Sequence, residues 1–139
     1  ENTFVPSGVA DNLDQVGLAY DEAVRAAGGV DLQLLGIGHN GHIGFNEPTD
    51  HFPTTVHTVT LTESTINANA RLFERREDVP TQAITMGIGT IMKADKILLI
   101  AGADKKEIVE KAFYGPVTPE VPASVLQLHR NVTVILCEN

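Results

Sequence analysis

The sequence predicts an α/β fold, namely an open, mostly parallel sheet with helices on both faces. Short apolar runs alternate with helical stretches along the 139 residues, which is the pattern of parallel strands joined by crossover helices. The run 96–101 is apolar after its first residue, as expected for a strand that is covered on both faces. No repeat or flexible linker interrupts the pattern, so residues 1–139 are expected to form a single domain.

Five helices are expected between the strands. The first covers residues 11–27, because Asp11 can cap it, its apolar side chains recur on one face, and a Gly-Gly pair ends it. The second begins at Thr62, a good capping residue, and continues to about residue 73, since no helix breaker intervenes. Shorter helices are expected over residues 90–94, 104–113 and 122–127.

Five strands are expected over residues 30–35, 56–61, 83–86, 96–101 and 132–136. Together they would form one open, Rossmann-like sheet. Ligands of such sheets bind beyond the carboxyl ends of the strands. The loops after Leu35, Met86 and Ala101 each begin with glycine, which lets a ligand approach the backbone closely. We therefore expect the chemistry to take place at these loops.

Composition and charge exclude several classes of function. The formal net charge of −8 disfavours nucleic acid and anionic membranes as partners. No apolar run reaches the roughly 20 residues that a membrane span needs, and the first six residues have no signal-peptide character. The single cysteine, Cys137, lies in an apolar run, so we expect a small buried side chain in a cytoplasmic protein.

The loop after the first predicted strand carries the clearest motif. Residues 36–41 read Gly-Ile-Gly-His-Asn-Gly and match the G-x-G-x-x-G pattern of dinucleotide sites. However, Pro48 and Pro53 leave no room for the helix that must follow that pattern. Position 60, at the end of the next strand, is Thr instead of the acidic residue that binds a ribose. A nicotinamide cofactor is therefore not expected.

His42 is the side chain of this loop best suited to proton transfer. A histidine pKa of about 6.5 lets the ring both accept and donate a proton near neutral pH. Asn40 and Glu47 lie on either side of it in the sequence and can orient the ring. Two alternatives stay open at this point. One is an ordinary surface histidine, and the other is a metal site formed by His39, His42 and Glu47, although an irregular loop does not align them.

The fourteen residues 35–48, Leu-Gly-Ile-Gly-His-Asn-Gly-His-Ile-Gly-Phe-Asn-Glu-Pro, resemble the signature of the glucosamine-6-phosphate deaminases. Their glycine-rich first part is shared with the related 6-phosphogluconolactonases. The continuation Phe-Asn-Glu-Pro is similar to the deaminase branch and not to the lactonases. Further family-like blocks at residues 67–71, 85–90 and 124–129 extend the resemblance over essentially the whole chain. The resemblance implies the sugar-phosphate isomerase/deaminase fold.

The resemblance also implies an activity. The family converts D-glucosamine 6-phosphate and water into D-fructose 6-phosphate and ammonia, without cofactor or metal. By motif match, His42 is the acid/base that opens the sugar ring, and Asn40 and Glu47 are its supporting partners. Asn40 departs from the family members that have Asp here. Because Asn can orient a ring but cannot stabilise its charge, we expect Glu47 to bear more of the charge stabilisation.

Binding of the amino-sugar phosphate is implied in the same way. Arg71 and Lys105 match the phosphate-binding Arg and Lys of the family, and Gly36 and Gly38 match backbone positions that contact the sugar. Lys105 is expected in the first turn of a helix, where free amides and the helix dipole favour an anion. An acidic chain with ten Lys and Arg residues must concentrate two of them at this site.

Two departures from the family limit what the resemblance implies. Hexameric members bind an allosteric amino-sugar phosphate through an Arg-x-Lys pair, but the matching stretch is His57-Thr58-Val59, so that activation is not expected. Family members are also considerably longer at the N-terminus, where they carry a phosphate loop and the aspartate that moves the C2 proton. Neither Asp11, Asp14 nor Asp21 lies in a matching context.

We therefore expect this chain to resemble the C-terminal part of a longer deaminase domain. Its partners would be the amino-sugar phosphate, the N-terminal half of the same enzyme and, in a homo-oligomer, further copies of the chain. Two alternatives to the deaminase stay open. One is a lactone hydrolase in which His42 activates water, and the other is a non-catalytic sugar-phosphate-binding protein.

Overall fold

The computed structural model describes residues 2–138 and contains five strands. They are β1 (Leu32–Leu35), β2 (His57–Thr60), β3 (Gln82–Thr85), β4 (Lys96–Ala101) and β5 (Val132–Leu136). Strands β1, β4 and β5 form a parallel sheet in the order β1-β4-β5. Leu35 pairs with Leu99 of the central strand, and Leu99 pairs with Val134 of β5. The α/β class with a parallel sheet is confirmed.

Strands β2 and β3 do not join that sheet, which corrects the expectation of one five-stranded sheet. They pair with each other in antiparallel register, with Thr58 opposite Ile84. The physical reason lies in their composition. Both strands are only partly buried, and at least half of the residues in each are polar. Antiparallel pairs tolerate one solvated face, whereas parallel sheets are covered on both.

Residues 2–138 contain four α-helices: α1 (Leu13–Ala26), which precedes β1, and then α2 (Glu63–Asn69), α3 (Ile88–Met92) and α4 (Lys106–Tyr114). Asn12, and not Asp11, caps α1, because its side chain accepts a hydrogen bond from the Gln15 amide at 3.1 Å. Thr62 caps α2 as predicted. Short 3-10 turns lie at Ala70–Leu72, Arg76–Asp78, Ala103–Lys105 and Pro122–Leu128. The last of these replaces the α-helix expected there.

The main core lies on one face of the parallel sheet. Leu35, Ile97 and Leu99 pack there with Ile91 and Leu126, and all five are buried. Such close packing of apolar side chains supplies most of the free energy that holds a domain of this size together.

The opposite face of the sheet, where we also expected helices, is left open by the described residues. The strand register places Leu34, Ile100 and Ile135 on that face. Their side chains are 61%, 41% and 44% exposed, respectively. Contiguous exposed apolar groups of this kind indicate a surface that is normally covered.

The structure also bears on the expected burial of Cys137 and on the expected lack of a membrane span. Cys137 is exposed and not buried, because β5 ends at Leu136 and alternate residues of that strand already face outward. Within residues 2–138 there is no helix with the length and apolar character required to cross a membrane.

Candidate active site

The loop that follows β1 folds tightly around His42. The Gly41 amide donates to the Gly38 carbonyl at 2.9 Å, and the Gly38 amide donates to the His42 carbonyl at 3.0 Å. Gly41 adopts a φ of +87°, which residues with a Cβ rarely adopt. A Cβ at Gly38 would overlap the imidazole ring of His42. Glycine at position 38 therefore lets the ring lie directly against the backbone.

The next residues tie this loop to the rest of the fold. Ile43 is fully buried in the main core. The Asn46 side-chain amide donates to the carbonyls of Ile43 and Met86 at 2.9 and 2.8 Å, and the Phe45 amide donates to Thr85 Oγ1 at 2.9 Å. The loop is thus fixed to the end of β3. Sequence reasoning missed Asn46 as an anchor, because its partner Met86 lies 40 residues away.

His42 and Glu47 form a pair, as predicted. The Nδ1 atom of His42 lies 3.5 Å from Glu47 Oε2 and 3.5 Å from Thr65 Oγ1. Because the Thr65 hydroxyl donates to Glu47, its oxygen is free to accept, so both neighbours favour a proton on Nδ1. The other ring nitrogen, Nε2, has no hydrogen-bond partner among residues 2–138 and is left for a ligand.

Asn40 acts through the carboxylate and the backbone, and not on the imidazole ring as we expected. Its side-chain amide donates to Glu47 Oε2 at 2.6 Å, and its Oδ1 accepts from the His42 backbone amide at 3.2 Å. The second contact lies within one tight turn, because residues 40 and 42 are only two positions apart. Asn40 therefore positions Glu47, which in turn faces the ring.

Two threonines complete the surroundings of Glu47. The Thr65 hydroxyl donates to Glu47 Oε1 at 2.5 Å, and the amide and hydroxyl of Thr62 lie 3.4 Å from the same oxygen. A carboxylate that is only 7% exposed needs such donors to stay in the fold as an anion. The sequence marked Thr62 as a helix cap, but gave no sign that α2 begins next to the loop.

The protonation of His42 is set by two opposing effects. Burial lowers the pKa of His42, because a charged imidazolium loses solvation there, while the Glu47 carboxylate opposes this and raises it. The net result is a pKa below the ordinary value of 6.5. The ring is therefore neutral at pH 7, with the Nε2 lone pair available as a base.

A cavity of about 800 Å³ opens in front of this pair. Six of the seven residues predicted to act on or hold the substrate line it, namely Gly36, Gly38, Asn40, His42, Arg71 and Lys105. The seventh, Glu47, lies behind His42. Parallel neighbours β1 and β4 bring two of the lining loops together at their carboxyl ends. The roles of these residues in binding and catalysis stay predictions.

The two predicted phosphate ligands have different surroundings. Arg71 lies in the turn Ala70–Leu72 after α2 and is exposed. Lys105 ends the turn Ala103–Lys105 and directly precedes α4, so it is one position before the helical turn where we expected it. Its side chain is largely buried, and burial lowers the pKa of the Lys105 ammonium.

The alternative metal site is not formed by the fold. The ring of His39 turns toward Lys105 and Asp104, at 2.6 and 3.0 Å, and not toward His42 and Glu47. In the described part of the chain, no three His, Cys, Asp or Glu side chains are grouped so that they could hold a metal ion. The exposed-histidine alternative fits His39, and not the partly buried His42.

Comparison with known proteins agrees with the geometry. Residues 2–135 match the family model of glucosamine-6-phosphate isomerases/6-phosphogluconolactonase. The chain is 64% identical over 138 residues to the glucosamine-6-phosphate deaminase of Lachnoclostridium phytofermentans, and 54% identical over 139 residues to that of Clostridioides difficile. A solved structure of a monomeric glucosamine-6-phosphate deaminase superposes with a TM-score of 0.91 at 47% identity.

These matches cover nearly all of this chain but only part of each relative. The alignments include 99% of this chain with both curated relatives, and 58% and 56% of the relatives themselves. The superposition includes 96% of this chain and 56% of the solved structure. The chain thus spans little more than half the length of the proteins it matches. It belongs to the glucosamine-6-phosphate isomerase/6-phosphogluconolactonase family.

Proposed function

We propose that this chain is part of a glucosamine-6-phosphate deaminase, which converts D-glucosamine 6-phosphate and water into D-fructose 6-phosphate and ammonia. The observation that carries the proposal is one cavity in which His42, backed by Glu47, lies with the cations Arg71 and Lys105. The 64% identity to a deaminase favours this activity over lactone hydrolysis.

The two cations that line the cavity would hold the phosphate. Arg71 presents a planar guanidinium that can donate two parallel hydrogen bonds to phosphate oxygens. Lys105 adds a second positive charge in a partly buried setting, where screening by water is weaker. In a chain of net charge −8, two cations at one cavity favour an anionic ligand over a neutral one.

His42 would open the sugar ring. With Nδ1–H directed to Glu47 and Thr65, the Nε2 lone pair removes the proton of the anomeric hydroxyl, and the same nitrogen returns it to the ring oxygen as the C1–O bond breaks. During this transfer the imidazole carries a positive charge. Glu47 stabilises that charge at 3.5 Å, and Asn40 keeps the carboxylate in place.

The following step moves a proton from C2 to C1 and needs a second base. Asp104, which lines the cavity, is engaged by His39. Asp21 lies elsewhere, where its carboxylate accepts from the Val56 amide at 2.7 Å and from Thr90 Oγ1 at 2.8 Å. We therefore propose that this chain is the C-terminal part of the enzyme and that the N-terminal half supplies the second base.

The open face of the sheet supports that proposal. Leu34 and Ile100 expose apolar side chains there, and a further layer of helices would cover them. The relatives are long enough to supply such a layer, because this chain matches little more than half of them.

We also propose the cytoplasm as the location, since the unpaired Cys137 suits a reducing compartment.

A chimeric enzyme tests the proposal. The N-terminal part of the Lachnoclostridium phytofermentans deaminase, up to the aligned region, is fused to this chain, and ammonia release from glucosamine 6-phosphate is measured. We expect release that is lost in a His42→Gln variant and weakened, mainly through KM, by Arg71→Met. A chimera that binds the sugar phosphate without releasing ammonia would support a binding protein. Hydrolysis of 6-phosphogluconolactone without ammonia would support the lactonase.

A further inference from the structure

His39 connects two opposite charges at the edge of the cavity. Its Nδ1 lies 2.6 Å from the Lys105 ammonium, and its Nε2 lies 3.0 Å from Asp104 Oδ2. The arrangement follows from the fold, because β1 and β4 are parallel neighbours and the loops that leave them run side by side. One loop carries His39, and the other carries Asp104 and Lys105.

The hydrogen bonds define the state of this histidine. A lysine ammonium has only protons to donate, so His39 Nδ1 must accept from Lys105. The ring proton is then on Nε2 and is donated to Asp104, whose carboxylate can only accept. His39 is thus a neutral ring inserted between a cation and an anion. The ammonium and the carboxylate lie 3.8 Å apart, which makes them an ion pair without a direct hydrogen bond.

This separation has a consequence for an anionic ligand. Without the ring, the flexible Lys105 side chain can move closer to Asp104 and hydrogen-bond to it directly, which would occupy its protons. With the ring present, one ammonium proton is used by His39 and the others stay available to the cavity that Lys105 lines. Asp104 is therefore a competitor of the substrate for the same cation.

We propose that His39 is a positioning residue for substrate binding, which keeps the Lys105 ammonium from hydrogen-bonding directly to Asp104 and so leaves it available to the phosphate. The inference rests on the proposed function, because it assumes that the cavity holds a sugar phosphate. His39 does not touch the reacting carbons in this scheme. It affects the affinity for the phosphate group and leaves the chemical step at His42 unchanged.

Steady-state kinetics of the chimeric enzyme test the proposal. His39→Ala is expected to raise KM for glucosamine 6-phosphate about fivefold, the range of a partly exposed ion pair, while kcat changes less than about twofold. Adding Asp104→Asn to that variant should return KM close to the wild-type value, since the competing carboxylate is gone. His39→Gln should behave much like the wild type, because its amide can accept from Lys105 and donate to Asp104 simultaneously.

A purely structural role for His39 predicts something different. In that case His39→Ala would lower kcat together with thermal stability, and Asp104→Asn would not restore KM. Either that pattern or an unchanged KM in His39→Ala would overturn the inference.

A second measurement separates this inference from the proposed function. Inorganic phosphate is titrated into the 139-residue chain by calorimetry, which needs no catalysis. Weaker binding in His39→Ala, restored by adding Asp104→Asn, would support the positioning role even if the chimera released no ammonia. Equal phosphate binding in all three proteins would refute it, whatever the activity.

Discussion

Replacing Glu47 by Gln removes one negative charge while leaving the shape of the site intact. The Gln oxygen can still accept from the Asn40 amide, and the hydroxyls of Thr62 and Thr65 can turn to accept from the Gln amide; only the 3.4 Å contact from the Thr62 backbone amide is lost. The change therefore isolates the effect of charge on His42, whose Nδ1 lies 3.5 Å from the carboxylate.

The magnitude follows from that distance. Two unit charges 3.5 Å apart attract by about 5 kcal/mol at an effective dielectric constant of about 20. The side chain of His42 is 18% exposed, so we reduce this figure to about 2–3 kcal/mol of stabilisation for the imidazolium formed during ring opening. That energy corresponds to a loss of roughly 30- to 160-fold in kcat/KM.

The assay is ammonia release from glucosamine 6-phosphate by the chimeric enzyme, with thermal unfolding measured in parallel. Glu110→Gln serves as the matched control, because Glu110 is an exposed residue of α4 and should leave kcat/KM unchanged. A folded Glu47→Gln enzyme with activity within twofold of the control would refute the assignment of charge stabilisation to Glu47.

Three other changes are predicted to alter the same site. Asn40→Asp should cost less activity than Glu47→Gln, because at least one negative charge still faces His42; an equal or larger loss in kcat/KM would reverse the ranking. Because burial lowers the pKa of His42, activity should fall on acidification only below pH 6.5, and Glu47→Gln should move this acid limb to still lower pH in a pH–rate profile. Gly38→Ala should reduce kcat about 100-fold by displacing the His42 ring, whereas Gly8→Ala, at an exposed position outside the cavity where a Cβ meets no atom within 4 Å, should retain kcat.

Local sequence patterns predicted most of the fold. The bounds of β4 and β5 agree with the prediction, because short runs rich in apolar and β-branched residues are typical of strands. The pairing of β2 with β3 was not predictable in the same way. It depends on which strands meet in space, and the sequence offers only the weak sign that at least half of the residues in each strand are polar.

In the candidate site, too, only contacts between residues close together in the sequence could be predicted. His42, Asn40 and Glu47 lie within eight residues of each other, so one motif could indicate all three. The contacts of Thr65 with Glu47 and of His39 with Lys105 join residues 18 and 66 positions apart. No periodicity or composition indicates such contacts, because they arise only when the loops at the ends of parallel strands meet.

The central claim, that His42 transfers the proton that opens the sugar ring, is tested most directly by anomeric exchange. Glucose 6-phosphate has the anomeric hydroxyl and the phosphate but no amine to lose, so it reports ring opening alone. Exchange between its anomers is measured by NMR in the presence of the chimeric enzyme. We expect faster exchange with the wild type and the uncatalysed rate with His42→Gln. Acceleration that survives in His42→Gln, or no acceleration by the wild type, would contradict it.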